Sequence, residues 1–265
     1  MDLVENKGLR VRSDRIHIGT MGWSYPFWVG SLYPKTASSG DFLKEYSRRF
    51  NSVEVDSTFY RIPIERTVTE WKQRTPSGFK FSSKFPRIIT HTKMLSNCEA
   101  ETQRFIDVIS FLGEKLGVLL LQFPPNFGEE HFQSLKEFLQ SLPKGHRFAV
   151  ELRNNRWPID KLSSLLREYN VALTISDHDQ FSRAGVDELT SEFAYIRWEG
   201  NRTIVKGNLG RTEVDKTPET KEWAAKIKKL TESSVEIFGY FSKYFSGYPP
   251  VDAETLLSSL NAEEN

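Results

Sequence analysis

Glu54, Lys84, Glu151 with Arg153, and Arg197 with Glu199 are ionic side chains set into runs that are otherwise apolar, at a spacing of two residues. Val53, Val55 and Phe59 alternate with Glu54, Asp56, Thr58 and Tyr60, and three phenylalanines of residues 79–85 alternate with Lys80 and Lys84. Val150 and Leu152 alternate with Glu151 and Arg153, as Ile196 and Trp198 do with Arg197 and Glu199. Successive side chains on a β-strand point to opposite faces, so each run predicts a strand with one apolar and one ionic face. Carboxylates brought beside lysine and arginine suit general acid–base chemistry, because burial and neighbouring charge move their pKa values. A guanidinium adds a two-pronged grip on a carboxylate or phosphate. On these grounds Glu54, Glu151, Lys84 and Arg153 are the expected catalytic residues, with an anion to be held near Arg153. An ion-pair network that merely fills a core is the plain alternative.

The elements that must position these groups follow from the rest of the chain. Strand patterns cover residues 16–21, 52–60, 79–85, 117–125, 148–153, 171–177, 194–199 and 235–241. Helical spacing of apolar residues marks about 41–50, 65–74, 99–116, 129–142, a helix opened by Trp157-Pro158 and running to 169, 218–233 and 253–260. Residues 86–92 read as a loop, and 178–192 as a loop or short helix. Eight strands, seven of them followed by a helix, predict a parallel sheet with right-handed crossovers. The simplest closure is an α/β fold, a single-domain TIM (β/α)8 barrel over residues 16–265, with 1–15 as a flexible lead-in. The first strand turn lacks the third glycine of a dinucleotide-binding fold, which argues against a doubly wound sheet.

In such barrels the reacting groups sit at the C-terminal strand ends. Collecting those ends adds Trp23, Tyr25, Asp56, Tyr60, His91, Gln122, Trp157, Asp177, Arg197 and Glu199 as expected substrate-binding residues. The aromatics could instead cap the barrel core, and Trp157 could simply seat its helix. Asp177-His178-Asp179 offers three possible metal ligands, but adjacent residues cannot all face one ion. Glu54, Asp56, Glu151 and Glu199 could together hold a hard cation, but Lys84, Arg153 and Arg197 at the same level already neutralise them. No metal and no other cofactor is therefore expected.

The chain has 265 residues and a formal net charge of +1, so bulk electrostatics favour neither nucleic acid nor an anionic membrane, although a local basic patch stays open. The longest apolar run, near residues 116–121, is far too short to span a bilayer. A charged N-terminus without an apolar h-region and a lone cysteine, Cys98, lead to an expected cytoplasmic location. Nothing in the pattern reports the oligomeric state.

Gly22-Trp23-Ser24-Tyr25 with Trp28 and Gly30, Val53-Glu54-Val55-x-Ser-Thr-Phe-Tyr60, Ile89-Thr90-His91, Gln122-Phe-Pro-Pro125, Glu151-Leu-Arg153 with Trp157, and Tyr195-x-Arg197 occur in that order. Together they resemble the YecE-like family, the domain of unknown function numbered seventy-two, from Ile16 to Leu260. The resemblance implies a TIM barrel and a site but no reaction. It also implies asparagine at the position of Asp56, histidine at that of Glu199, and an Asn pair where Ser242-Lys243 stands. Three functions remain in competition. The first is an enzyme acting by acid–base chemistry on a small polar, anionic or sugar-like substrate. The second is a divalent-metal enzyme of the sugar-isomerase or endonuclease type. The third is a barrel that binds a ligand or nucleic acid without turnover.

Overall fold

Every run that alternates apolar with polar residues forms a strand, and the strands are parallel. The computed structural model describes residues 14–177 and 189–262. Its strands are β1 (Ile16–Met21), β2 (Ser52–Val55), β3 (Lys80–Lys84), β4 (Leu116–Gln122), β5 (Arg147–Glu151), β6 (Ala172–Leu173), β7 (Ile175–Ser176), β8 (Phe193–Trp198) and β9 (Glu236–Phe241). They pair in the order β6-β5-β4-β3-β2-β1-β9-β8-β7. The single strand expected over 171–177 is broken at Thr174. Its first half pairs with β5 through Ala149 and Val150, and its second half with β8 through Ile196 and Arg197. One extended segment thus forms both ends of the sheet, and the sheet closes into a barrel of eight staves.

Outward rows such as Val53 and Val55, Leu119 and Leu121, and Ile196 and Trp198 join one large apolar cluster with the helices. These are α1 (Phe42–Tyr46), α2 (Ser57–Tyr60), α3 (Glu65–Gln73), α4 (Glu99–Ile109), α5 (Phe132–Ser141), α6 (Ile159–Glu168), α7 (Thr217–Glu232) and α8 (Pro249–Asn261). Inward side chains stack in levels. At the base, Glu236 accepts from Arg147 at 2.6 Å and lies 3.0 Å from His17 Nε2. At mid-height the Tyr240 hydroxyl shares hydrogen bonds with Ser52 (2.6 Å) and Ser82 (2.8 Å), beside Val118, Ala149 and Phe238. The upper level carries Glu54, Glu151 and Arg197, with Lys84 and Gln122 at their strand ends.

Three local expectations need correction. The second strand stops at Val55 rather than Tyr60, because Thr58 Oγ1 bonds the carbonyls of Val55 (2.8 Å) and Lys84 (2.7 Å) and winds residues 57–60 into a helical turn. Residues 86–92 are not an open loop, since Ile88–Thr92 makes a π-helical turn. The helices expected over 41–50 and 99–116 are shorter, and the second continues as a 3-10 stretch, Ser110–Lys115. Most of the expected lead-in and of the 178–192 segment lies outside the described residues. Among the described residues, no helix is long and apolar enough to cross a membrane.

The closing helix α8 begins with Pro249-Pro250 and buries Asp252 in its first turn, where Ser246 Oγ donates to it at 2.5 Å. Burial pushes this carboxyl up to about 7, with Ser246 and Lys216 pulling the other way. The folded chain therefore keeps a proton that the unfolded chain releases at its ordinary pKa. The resulting stabilisation is complete below that ordinary value and is lost as pH rises through about 7. Asp252→Asn is expected to flatten this fall and to gain on the order of 1–2 kcal/mol over the parent at pH 8. Melting curves across pH 4–8 check it (order-of-magnitude range), and parallel curves for both proteins would count against it.

Candidate active site at the barrel mouth

Arg197, at the end of β8, is the centre of the upper level. Its Nε and Nη2 donate to Glu54 Oε2 and Oε1 at 3.0 and 2.9 Å, a bidentate pair whose partners are 2% and 0% exposed. Its Nη1 donates to Glu151 and forms an ion pair with Glu199 Oε1 at 2.5 Å, and Nη2 also meets the Met21 sulfur at 3.3 Å. A guanidinium has five N–H groups, and four of them have acceptors here, with Glu199 paired ionically beside the fifth. Arg197, expected to help hold a substrate, lines the pocket while most of its donors are engaged by Glu54, Glu151 and Met21. Arg153 carries the network outward, from Nε to Glu151 Oε1 at 3.0 Å and from Nη2 to Glu199 Oε1 at 3.1 Å.

The two buried glutamates flanking Arg197 shift in opposite directions. Burial pushes Glu54 up to about 7 against the pull of Arg197, while nearby Asp56 adds to the rise. Burial alone would also raise Glu151, but Arg197, Arg153 and Lys84 outweigh it and hold the carboxyl at about 2. Glu54 also accepts from the Tyr195 hydroxyl at 2.6 Å. Both glutamates are buried and absent from the pocket wall, with their oxygens on the guanidinium groups.

Above them opens a pocket of about 260 Å³. Asp56, Phe59 and Tyr60 enter it from the turn after β2, and Lys84 and His91 from the end of β3 and the π-helical turn. Tyr25, Gln122, Arg153, Arg197 and Glu199 complete the expected part of the wall. Lys84 Nζ lies 4.0 Å from Asp56 Oδ1 and 4.4 Å over the Phe59 ring. Burial lowers its pKa most, Asp56 partly restores it, and Arg197 lowers it further. His91 is brought down to about 4, chiefly by burial and then by Lys84, Arg87 and Arg153, so its imidazole is neutral near pH 7. Its Nδ1 shares a 2.9 Å hydrogen bond with Thr90 Oγ1.

Residues not foreseen as ligand contacts close the pocket from the other side. Arg202 follows β8, Ser242, Lys243 and Tyr244 follow β9, and Met21 lies at the floor. The two loops are pressed together at glycines with left-handed backbones: a Cβ on Gly200 would sit 2.0 Å from the Tyr244 carbonyl, and one on Gly207 2.6 Å from that of Lys243. Arg202 packs 4.8 Å over the Tyr244 ring, and Lys243 lies 5.1 Å from the same ring. The strand-end rule, carried on to the last strand, would have found Ser242 and its neighbours, since they directly follow β9. Arg202 belongs to an irregular stretch with no periodic signal. Asp56, Glu199, Ser242 and Lys243, where the chain departs from the pattern its motifs resemble, all line this one pocket.

Three expected contacts lie elsewhere. Trp23 packs edge-on against Trp71 at 5.5 Å and Phe81 at 6.4 Å, under the helices rather than in the mouth. Trp157 is buried; its indole donates to the Phe127 carbonyl at 2.7 Å and its ring stacks on that residue, so it seats α6. Asp177 accepts from the Glu199 amide at 2.6 Å and the Gly200 amide at 3.1 Å, which fixes the start of the loop that carries Glu199 and Arg202. His178 and Asp179 lie outside the described residues. Among the described residues no group of three or more His, Cys, Asp or Glu side chains is placed to hold a metal ion. The three glutamates at the mouth instead direct their oxygens to guanidinium groups.

A family model described as a protein of unknown function, DUF72, matches residues 17–265. UPF0759 protein YecE of Escherichia coli K12 is 35% identical over 139 residues, which span 52% of this chain and 48% of that protein; the match thus covers about half the length of the curated relative. A solved DUF72 family protein from Thermotoga maritima superposes with a TM-score of 0.77 at 23% identity, covering 93% of this chain and 99% of that one. A xylose isomerase-like TIM barrel protein from Mycobacterium smegmatis, solved in complex with magnesium, gives 0.53 at 13% identity, covering 94% and 100%. At these identities the two structures share the fold and carry no argument about chemistry.

Proposed function

Since this chain belongs to the DUF72 family of proteins of unknown function, we propose from the geometry of its mouth that it is an enzyme acting by acid–base chemistry on a small anionic substrate. One observation carries the reading. Among the described residues Lys84, Arg153, Arg197, Arg202 and Lys243 line a single cavity with Asp56 and Glu199; Glu54 and Glu151 beneath take up Arg197, which leaves Lys84, Arg202 and Lys243 to present positive charge to the opening, although the whole chain has a net charge of just +1. The positive excess is therefore local and directed into a half-open pocket, where it acts through a lower dielectric than on the open surface.

Arg202 and Lys243 surround the anion from the rim, with Arg153 at its side. Lys84 and Asp56 are placed to move a proton, and the neutral imidazole of His91 and the amide of Gln122 orient the polar remainder. Glu54 and Glu151, expected from the sequence as the acid–base pair, keep the guanidinium groups in position from below. At roughly 30 Å³ per water the cavity displaces about nine waters, which suits a compact metabolite-sized ligand. Calorimetric titration with inorganic phosphate at low salt tests the reading. Saturable binding that weakens as salt rises is expected, followed by turnover of a small phosphorylated or carboxylated compound. No saturable binding of phosphate or of small carboxylates would sink the proposal, and binding without turnover across such a panel would make the barrel a receptor.

A further inference from the structure

Two cations on the inner face of the barrel mouth are treated very differently by their surroundings. Arg197 is surrounded by carboxylates, whereas among the described residues Lys84 has no hydrogen-bonded carboxylate. The nearest, Asp56 Oδ1, is 4.0 Å away, and that oxygen is itself buried without a hydrogen-bond partner. The Lys84 side chain is 12% exposed, lies against the Phe59 ring and opens into the pocket. An amine kept from water and beside other cations carries more of its neutral, nucleophilic form near pH 7 than a surface lysine does. Burial, the largest influence, and the Arg197 guanidinium act in that direction on Lys84 and prevail over Asp56, Glu54 and Glu151. A group meant only to attract an anion would gain nothing from losing its charge.

We propose that Lys84 is a Schiff-base nucleophile and that the pocket takes an aldehyde or ketone bearing a phosphate or carboxylate. The inference rests on the anion-binding reading above and names the substrate class for it. With the anion against Lys243 and Arg202, the carbonyl carbon comes beside Nζ. The nitrogen lone pair forms the C–N bond as the carbonyl π pair moves to oxygen. Both amine protons then leave with that oxygen as water, relayed by Asp56 Oδ1, while the C–O bond breaks and C=N forms. Amine and carbonyl give imine and water, and no oxidant or reductant is consumed.

The test is reductive trapping on the whole protein. Dihydroxyacetone phosphate or pyruvate is added with sodium cyanoborohydride, which reduces an imine to a stable secondary amine, and the labelled lysine is mapped by mass spectrometry. Labelling at Lys84 is expected about tenfold or more above Lys243 and the surface lysines, with protection by inorganic phosphate. Lys84→Arg should abolish it while background labelling elsewhere is unchanged; the map of the unaltered protein stands alone if that variant does not fold. Phosphate titration of the same preparation separates the two ideas. Phosphate binding with labelling absent from Lys84, or spread evenly over the lysines, overturns the Schiff base and leaves the anion site. Neither binding nor labelling overturns both, and labelling at Lys84 without phosphate binding keeps the nucleophile and removes the anion clamp.

Discussion

Arg197→Met is expected to lower the free energy of unfolding by roughly 3–5 kcal/mol at pH 7, the range found when one partner of a buried ion pair is removed. Methionine fills much of the arginine stem, so little of the loss would come from a cavity. The cost lies in Glu54 and Glu151, which are 0% and 5% exposed and would keep their carboxyl groups in the barrel without the guanidinium that now binds both. The sign of the pH dependence separates this cause from poor packing. Once stranded, these carboxyls would titrate above their unfolded values, so the variant's deficit should shrink as pH falls toward the ordinary glutamate pKa. Arg197→Lys should not rescue it, because one ammonium cannot reproduce the fork that reaches three carboxylates. Urea unfolding at pH 7 and pH 5 (values chosen to bracket ordinary carboxyl protonation) measures both effects. A loss below about 1 kcal/mol at pH 7 would mean that the network is worth no more than a surface pair.

Lys84→Met should do the opposite: leave stability unchanged or raise it, while phosphate, held by Arg202, Lys243 and Arg153, binds within about twofold of its affinity for the parent. Were Lys84 itself the anion's partner, the loss of a hydrogen bond to a charged group would cost around 1.5–3 kcal/mol, or about 10–150-fold in affinity. The contrast follows from the partners. Lys84 is buried but its nearest carboxylate oxygen is 4.0 Å away, so removing it leaves no hydrogen-bonded acceptor unsatisfied and relieves a desolvated charge. Calorimetry and thermal unfolding of one preparation check it, and an affinity loss of that size would put Lys84 against the anion rather than the carbonyl.

The inner and outer faces of the barrel were legible from alternation alone, because the period of a strand is two and one face must be apolar. That rule placed Glu54, Lys84, Glu151 and Arg197 on the inward face at the mouth. It could not give depth: nothing in the spacing says that Glu54 and Glu151 are buried and absent from the pocket wall. Nor could it locate the end of β2, which is set by a tertiary contact, the Thr58 hydroxyl on the Lys84 carbonyl. Tyr60 consequently stands at the rim, 81% exposed, rather than along an inner row. The two misplaced tryptophans show the same limit. A strand end or a helix start is where binding aromatics occur, but Trp157 found its acceptor in the Phe127 carbonyl inside the core. Arg202 lies in a loop whose course is fixed by glycines packed against the chain after β9, a feature no local period records.

The guanidinium surrounded by carboxylates also limits which sequences can be reached from this one. Glu54, Glu151 and Arg197 depend on each other so closely that a change at any single position passes through an unstable intermediate, and drift there requires several coordinated replacements. Tyr60, Arg202 and Lys243 share no such dependence, because none of them is a hydrogen-bonded partner of that trio. Single substitutions around the rim can therefore be sampled one at a time on an unchanging base. Descendants of such a barrel would diverge in what they bind long before they diverge in how the binding groups are held.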